Sequence, residues 1–195
     1  MEIENNLKRI VIIGPESTGK STLCEQLARQ YKTVWCPEFA REYLLTHGTD
    51  YTFEDLLYIA KGQIALEDEY IQLAGKLESG EVEMPLPNFP SPQLLFIDTD
   101  MYVLKVWCEF VFGNCHQWII DKIVERTYDL YLLCNTDLPW VKDELREYPD
   151  LETRERLYAI YKDNMINQSV PWADISGNTE ERLQKAIAAV DRLLY

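Results

Sequence analysis

The stretch Lys8-Arg-Ile-Val-Ile-Ile-Gly14-Pro-Glu-Ser-Thr-Gly19-Lys20-Ser21-Thr22 decides the fold. Its opening run of Ile and Val predicts a strand, Gly14 begins a turn, and Lys20 to Tyr31 is compatible with a helix. Between those elements, Gly14 to Ser21 matches G-x-x-x-x-G-K-[ST], the loop that cradles nucleotide phosphates. Gly14 and Gly19 permit backbone angles that let successive N–H groups, including those of Glu16, Ser17 and Thr18, converge on an anion at the positive end of the helix. Lys20 reaches the β- and γ-phosphates, the Ser21 hydroxyl is placed to ligate Mg²⁺, and Thr22 offers a second hydroxyl near the α-phosphate. The cofactors this motif calls for are ATP and Mg²⁺.

Outward from the loop, strands and helices alternate. Short strands are expected at 33–36, 94–97, 130–134 and 172–175. Helices are expected from Pro37 or Glu38 to Thr46, from a Thr52 cap to about Lys76, over 101–112, 117–128 and 152–167, and from a Thr179 cap to Leu194. The alternation predicts an α/β, three-layer P-loop fold with a central, mainly five-stranded parallel sheet. All 195 residues read as a single domain with a lid at about 136–156. Gly80 and prolines 85, 87, 90 and 92 predict a surface loop at about 78–93.

The net charge of −14 argues against nucleic-acid binding, which needs a basic surface. No segment reads as an export signal or a membrane span, so a cytoplasmic protein with a small-molecule substrate is expected. The five cysteines show no C-x-x-C pair and read as reduced thiols, and Cys115 beside His116 lacks the further ligands of a metal site.

Asp98, closing the apolar run Leu94 to Ile97, fits the acidic position that holds Mg²⁺. Asp100 is either its companion or the cap of the next helix. Glu38 follows the second strand and is the candidate general base. Arg41, one turn on, is either a substrate or phosphate clamp or the partner of Glu38 in a surface ion pair. The lid concentrates Asp137, Trp140, Asp143, Arg146, Arg154 and Arg156, a composition that suits closure over a transferring phosphoryl group. The switch and guanine-reading motifs of GTPases are absent: Asp98-Thr-Asp-Met101 and Asn135-Thr-Asp137 stand in their places.

Gly14 to Thr22, Glu38-Phe-Ala-Arg-Glu-Tyr43, Phe96-Ile-Asp-Thr-Asp100 and Asp137-Leu-Pro-Trp-Val-Lys-Asp-Glu-Leu-Arg146, with Arg154 following, resemble the ribosylnicotinamide kinase domain of the NadR family, within the AAA-like P-loop kinases. The resemblance implies ATP-dependent phosphorylation of the 5′-hydroxyl of nicotinamide riboside to nicotinamide mononucleotide. It implies that Glu38 or Asp100 serves the substrate hydroxyls, Trp140 and Asp143 the nicotinamide riboside, Arg146 and Arg154 the lid, and the Ser176-Gly177-Asn178 turn the adenine. The family's Asp-Gly-x-Arg reads Asp143-Glu-Leu-Arg146 here, and neither an adenylyltransferase nor a DNA-reading domain is expected. Kinases of other nucleosides or nucleotides, and a non-catalytic ATP-binding module, are the alternatives.

Overall fold

The computed structural model describes residues 7–79 and 94–194. Five strands form one parallel sheet: β1 (Lys8–Ile13), β2 (Val34–Cys36), β3 (Leu94–Asp98), β4 (Leu130–Cys134) and β5 (Trp172–Ile175). Their spatial order is β2-β3-β1-β4-β5, with all four pairings parallel. The expected α/β architecture is therefore present. Strands β3 and β4 are buried at every position, which is why they read as unbroken apolar runs rather than alternating ones. Because β1 lies between β3 and β4, the chain reverses its direction of sheet growth there, and the crevice at the carboxyl ends of β1 and β3 is where such sheets bind ligands.

Seven helices accompany the strands among the described residues: α1 (Lys20–Tyr31), α2 (Phe39–His47), α3 (Phe53–Ser79), α4 (Met101–Phe112), α5 (Gln117–Glu125), α6 (Leu151–Asn167) and α7 (Thr179–Leu194). On one face of the sheet, Ile10, Ile12, Phe96 and Leu132 pack against Leu23 and Leu27 of α1 and Ala186 and Val190 of α7. On the other, Val11, Ile97 and Leu133 meet Val103 and Val106 of α4 and Leu157, Tyr161 and Met165 of α6. A third cluster joins α2, α3, α4 and α5 through Ala40, Leu56, Ile59, Leu104 and Ile119. No helix among the described residues is long and apolar enough to cross a membrane. Most of the Pro-rich loop expected at 78–93 lies outside the described residues, and α3 extends to Ser79.

Two boundaries differ from expectation. Helix α5 ends at Glu125 rather than near Tyr128, because Arg126 turns extended and its guanidinium donates to Asp68 at 2.6 Å and Glu67 at 3.4 Å. Asn178, not Thr179, caps α7: its Oδ1 accepts from the N–H groups of Glu180 and Glu181, while Glu181 returns a carboxylate to the Asn178 N–H at 2.8 Å. The expected cap at Thr52 is present, with Asp55 Oδ2 accepting from its N–H at 2.8 Å.

Gly62 sets the approach of α2 to α3. A Cβ there would stand 2.2 Å from the Phe39 ring, the first residue of α2 after Glu38. Alanine is the better helix former by about 1 kcal/mol, yet overpacking costs roughly 1–3 kcal/mol. Gly62→Ala is expected to lower the urea midpoint; a midpoint at or above wild type would show that the Phe39 ring yields freely.

Candidate active site

The loop after β1 is built for an anion. Gly14 has φ 140° and a Cβ there would lie 2.6 Å from the Cys134 carbonyl oxygen, so the loop can pass under β4 only with glycine. Ser17 and Gly19 also have positive φ, 57° and 77°. Thr18, almost wholly buried, braces the turn by donating to the Pro15 carbonyl at 2.7 Å, and the Lys20 ammonium donates to the same oxygen at 3.1 Å. From behind, the buried Arg182 guanidinium donates to the carbonyls of Thr18 at 2.8 Å, Asn135 at 2.7 Å and Gly177 at 2.9 Å, and it pairs with Asp137. One cation thereby locks the phosphate loop to the ends of β4 and β5, a role the sequence alone did not disclose. Gly177 and Asn178, expected near adenine, are engaged in this lock and in the α7 cap.

Two carboxylates meet beside the loop. Ser21 Oγ donates to Asp98 Oδ2 at 2.5 Å, bringing together the hydroxyl and carboxylate that the sequence assigned to Mg²⁺. The Thr99 hydroxyl lies 3.4 Å from Glu38 Oε1 and 3.5 Å from Asp98 Oδ1. Burial, and next the Glu38 carboxylate, push the Asp98 carboxyl above the usual range, against the pull of Lys20, Ser21 and Thr99. A buried carboxyl raised by its twin is a group that a divalent cation would relieve, and this donor set fits Mg²⁺.

Gln63, also missed by sequence reasoning, holds the ends of β2 and β3 together. Its Oε1 accepts from the Phe39 N–H at 2.7 Å, and its Nε2 donates to the carbonyls of Pro37 at 3.4 Å and Asp98 at 3.5 Å. A glutamine in the middle of a long helix carries no sequence signal for this task.

Of the two roles the sequence left open for Asp100, the geometry shows the helix cap. Its Oδ1 accepts from the N–H groups of Tyr102 and Val103, its Oδ2 from the Tyr131 hydroxyl at 2.8 Å, and it does not line the cleft. Burial pushes its carboxyl up to about 7 although those three donors favour the anion. His116, next to Cys115, stacks on Phe53 at 3.7 Å and bonds to the Phe53 carbonyl, as a core histidine does.

A cleft of about 470 Å³ runs from the phosphate loop past Glu38 and Asp98. Arg41 and Asp143 line it and pair with each other at 3.0 Å; the expected alternative of a Glu38–Arg41 pair is not formed. Arg146 lines it too, donating to the Val141 carbonyl. Arg154 is 4% exposed, and its Nε and Nη1 have no hydrogen-bond partner. It lies one turn before Leu157 and two before Tyr161, both cleft residues, and so shares their stripe of α6, but it does not itself line the cleft. Buried, unpaired guanidinium donors fit a phosphate oxygen.

Trp140 does not line the cleft. Its indole N–H donates to the Glu16 carboxylate at 3.1 Å, which ties the lid to the phosphate loop. The aromatic wall comes instead from Tyr51, Trp107, Phe110 and Tyr148, with the Trp107 indole donating to the Tyr51 hydroxyl and that hydroxyl donating to Glu147, both at 2.9 Å. The sequence did carry one signal for this wall: Val103, Val106, Trp107 and Phe110 fall at i, i+3, i+4 and i+7 on the helix that starts just after Asp98.

Known proteins resemble this chain in sequence and in fold. A family described as an AAA domain matches residues 9–182. The trifunctional NAD biosynthesis/regulator protein NadR of Salmonella typhimurium is 32% identical over 142 residues, 72% of this chain and 31% of that protein. NadR of Escherichia coli is 32% identical over 144 residues with the same shares, so the chain spans about a third of the length of these relatives. Among solved structures, NadR in complex with NR superposes with a TM-score of 0.74 at 22% identity, over 96% of this chain and 50% of that one. Thymidylate kinase from Ehrlichia chaffeensis gives a TM-score of 0.65 at 13% identity, over 95% of this chain and 99% of that one. With the match running from the first strand to the arginine that locks the phosphate loop, the chain belongs to the AAA-domain family.

Proposed function

We propose that this chain is an ATP- and Mg²⁺-dependent kinase that transfers a phosphoryl group to the 5′-hydroxyl of nicotinamide riboside, giving nicotinamide mononucleotide. The observation that carries the reading is the placement of Glu38: a carboxylate without a strong cationic partner, beside the Ser21–Asp98 pair, opening onto an aromatic cleft. Support for the acceptor comes from the similarity to NadR, whose solved complexes hold NR, or NAD with AMP-PNP. A cleft with Glu38, Asp143 and Glu147 among tyrosine and tryptophan rings also suits a nucleoside whose base is a cation.

In this reading the backbone N–H groups of residues 16–19 and the Lys20 ammonium hold the triphosphate. Ser21 and Asp98 hold Mg²⁺, which when bound offsets charge on the phosphate oxygens. Glu38 accepts the proton of the acceptor hydroxyl as its oxygen bonds to the γ-phosphorus and the bond to the β-bridging oxygen breaks, releasing ADP. Arg146, which lines the cleft, faces the charge that moves onto the transferring group, and Arg154, with two donors unmet on the stripe of α6 that carries Leu157 and Tyr161, is the second cation assigned to it. A non-catalytic module would have no use for a buried guanidinium kept unpaired on that stripe.

An ADP-release assay across a nucleoside panel is expected to give the highest kcat/KM with nicotinamide riboside; a better acceptor, or none, overturns the assignment. Lys20→Ala should lower kcat by at least about 10²- to 10³-fold. Glu38→Gln should lower kcat by about 10²- to 10⁴-fold with little change in the KM for ATP. Asp100→Asn should leave kcat little changed while altering stability. The Asp100 carboxyl is raised in the folded chain, to about 7 against about 4 unfolded, so its favourable contribution is complete below about pH 4 and lost as pH rises through 7. The Tm of wild type should therefore fall relative to Asp100→Asn across that window, and a constant difference would contradict the burial-driven shift.

A further inference from the structure

The lid is tied at two places, 140–141 and 147–148, to two adjacent residues of the phosphate loop. Glu16 Oε1 accepts from the Trp140 indole at 3.1 Å and from the Tyr148 N–H at 2.8 Å, and Glu16 Oε2 accepts from the Glu147 N–H at 2.9 Å. Next to it, Ser17 Oγ accepts from the Val141 N–H at 3.0 Å. The segment between these ties supplies Asp143, Arg146, Glu147 and Tyr148 to the wall of the acceptor cleft. A carboxylate at the rim of an anion seat would repel a triphosphate if it faced inward; here three N–H groups tie it to the lid.

We propose that Glu16 is a positioning residue for the acceptor cleft, and that it links the two substrates: an occupied phosphate seat orders the lid, and an ordered lid completes the cleft. The linkage rests on the kinase reading above; the latch itself does not. Phosphate oxygens on the N–H groups of residues 16–19 fix the backbone from which Glu16 and Ser17 project, and those side chains hold the segment that bears the cleft wall. Because binding coupling is reciprocal, the acceptor must tighten the nucleotide by the same factor.

The test uses the full chain with AMP-PNP and Mg²⁺. Amide exchange at 147 and 148 in wild type is expected to slow about tenfold when AMP-PNP binds, and in Glu16→Gln to respond little, while AMP-PNP affinity changes less than acceptor affinity. Glutamine offers one acceptor oxygen where three donors need two. Nicotinamide riboside should bind about tenfold more tightly with AMP-PNP present in wild type, with that factor falling toward one in the variant. Trp140→Phe, which deletes only the indole donor, should lose part of the exchange response, and it carries the test if Glu16→Gln does not fold. A wild-type lid that ignores AMP-PNP, or a variant lid that responds as wild type does, overturns the proposal. A lid that responds in wild type and not in Glu16→Gln, with no nicotinamide riboside bound to either, upholds the latch and overturns the acceptor.

Discussion

Two negative groups in one buried corner set the terms for this structure. Asp98 and Glu38 each reach the same Thr99 hydroxyl, and Asp98 is 1% exposed. Like charges this near in a dehydrated place raise the carboxyl they crowd, and the arrangement persists only where the surroundings hold it. The holding is done by geometry that originates elsewhere: parallel β2, β3 and β1 deliver Glu38, Asp98 and the phosphate loop to one edge, and Gln63 straps the first two ends together. Thr99 itself takes a left-handed backbone, φ 77°, with its N–H on the Ile12 carbonyl, so the corner is made rigid from the central strand as well.

The two buried arginines divide the same problem between structure and chemistry. Arg182 has carbonyl partners on three segments and an ion pair with Asp137, so its charge is fully used in fixing the rear of the phosphate loop. Arg154, equally buried, leaves two nitrogens without partners. Burying an unpaired guanidinium costs several kcal/mol, which a purely structural residue would be under no pressure to sustain. The contrast separates an arginine spent on the scaffold from one whose donors remain open.

The sheet and the nucleotide seat were legible because each is written in a contiguous run. Four apolar residues ending in Asp98 declare a buried strand and its carboxyl end, and Gly14 to Ser21 carries its own chemistry at fixed offsets. The acceptor side was not legible in the same way. Asp98 and Asp100 are alike in sequence, two residues apart, and only the fold shows that one faces Ser21 while the other closes the first turn of α4. Trp140 invited a stacking role, but its N–H is spent on Glu16, and the ring wall comes from Tyr51 and Trp107, residues 56 apart whose side chains meet through one hydrogen bond. Such a meeting depends on how α3 and α4 pack, and no local pattern encodes it.

Net charge and local field also separate here. At −14 the surface repels polyanions, yet charges beyond about 8 Å are mostly screened, and the seat is lined at contact range by the loop backbone and Lys20. The negative balance becomes an asset on the other side of the cleft, where Glu38, Asp143 and Glu147 line the space and Arg41 answers only Asp143. Asp143 is answered by Arg41 and Glu147 accepts from the Tyr51 hydroxyl, so among these three carboxylates Glu38 is the one left without an ion pair or a hydrogen bond shorter than 3.4 Å among the described residues. Charges of both signs thus line one cleft, and the net charge of the chain does not describe the field at the site.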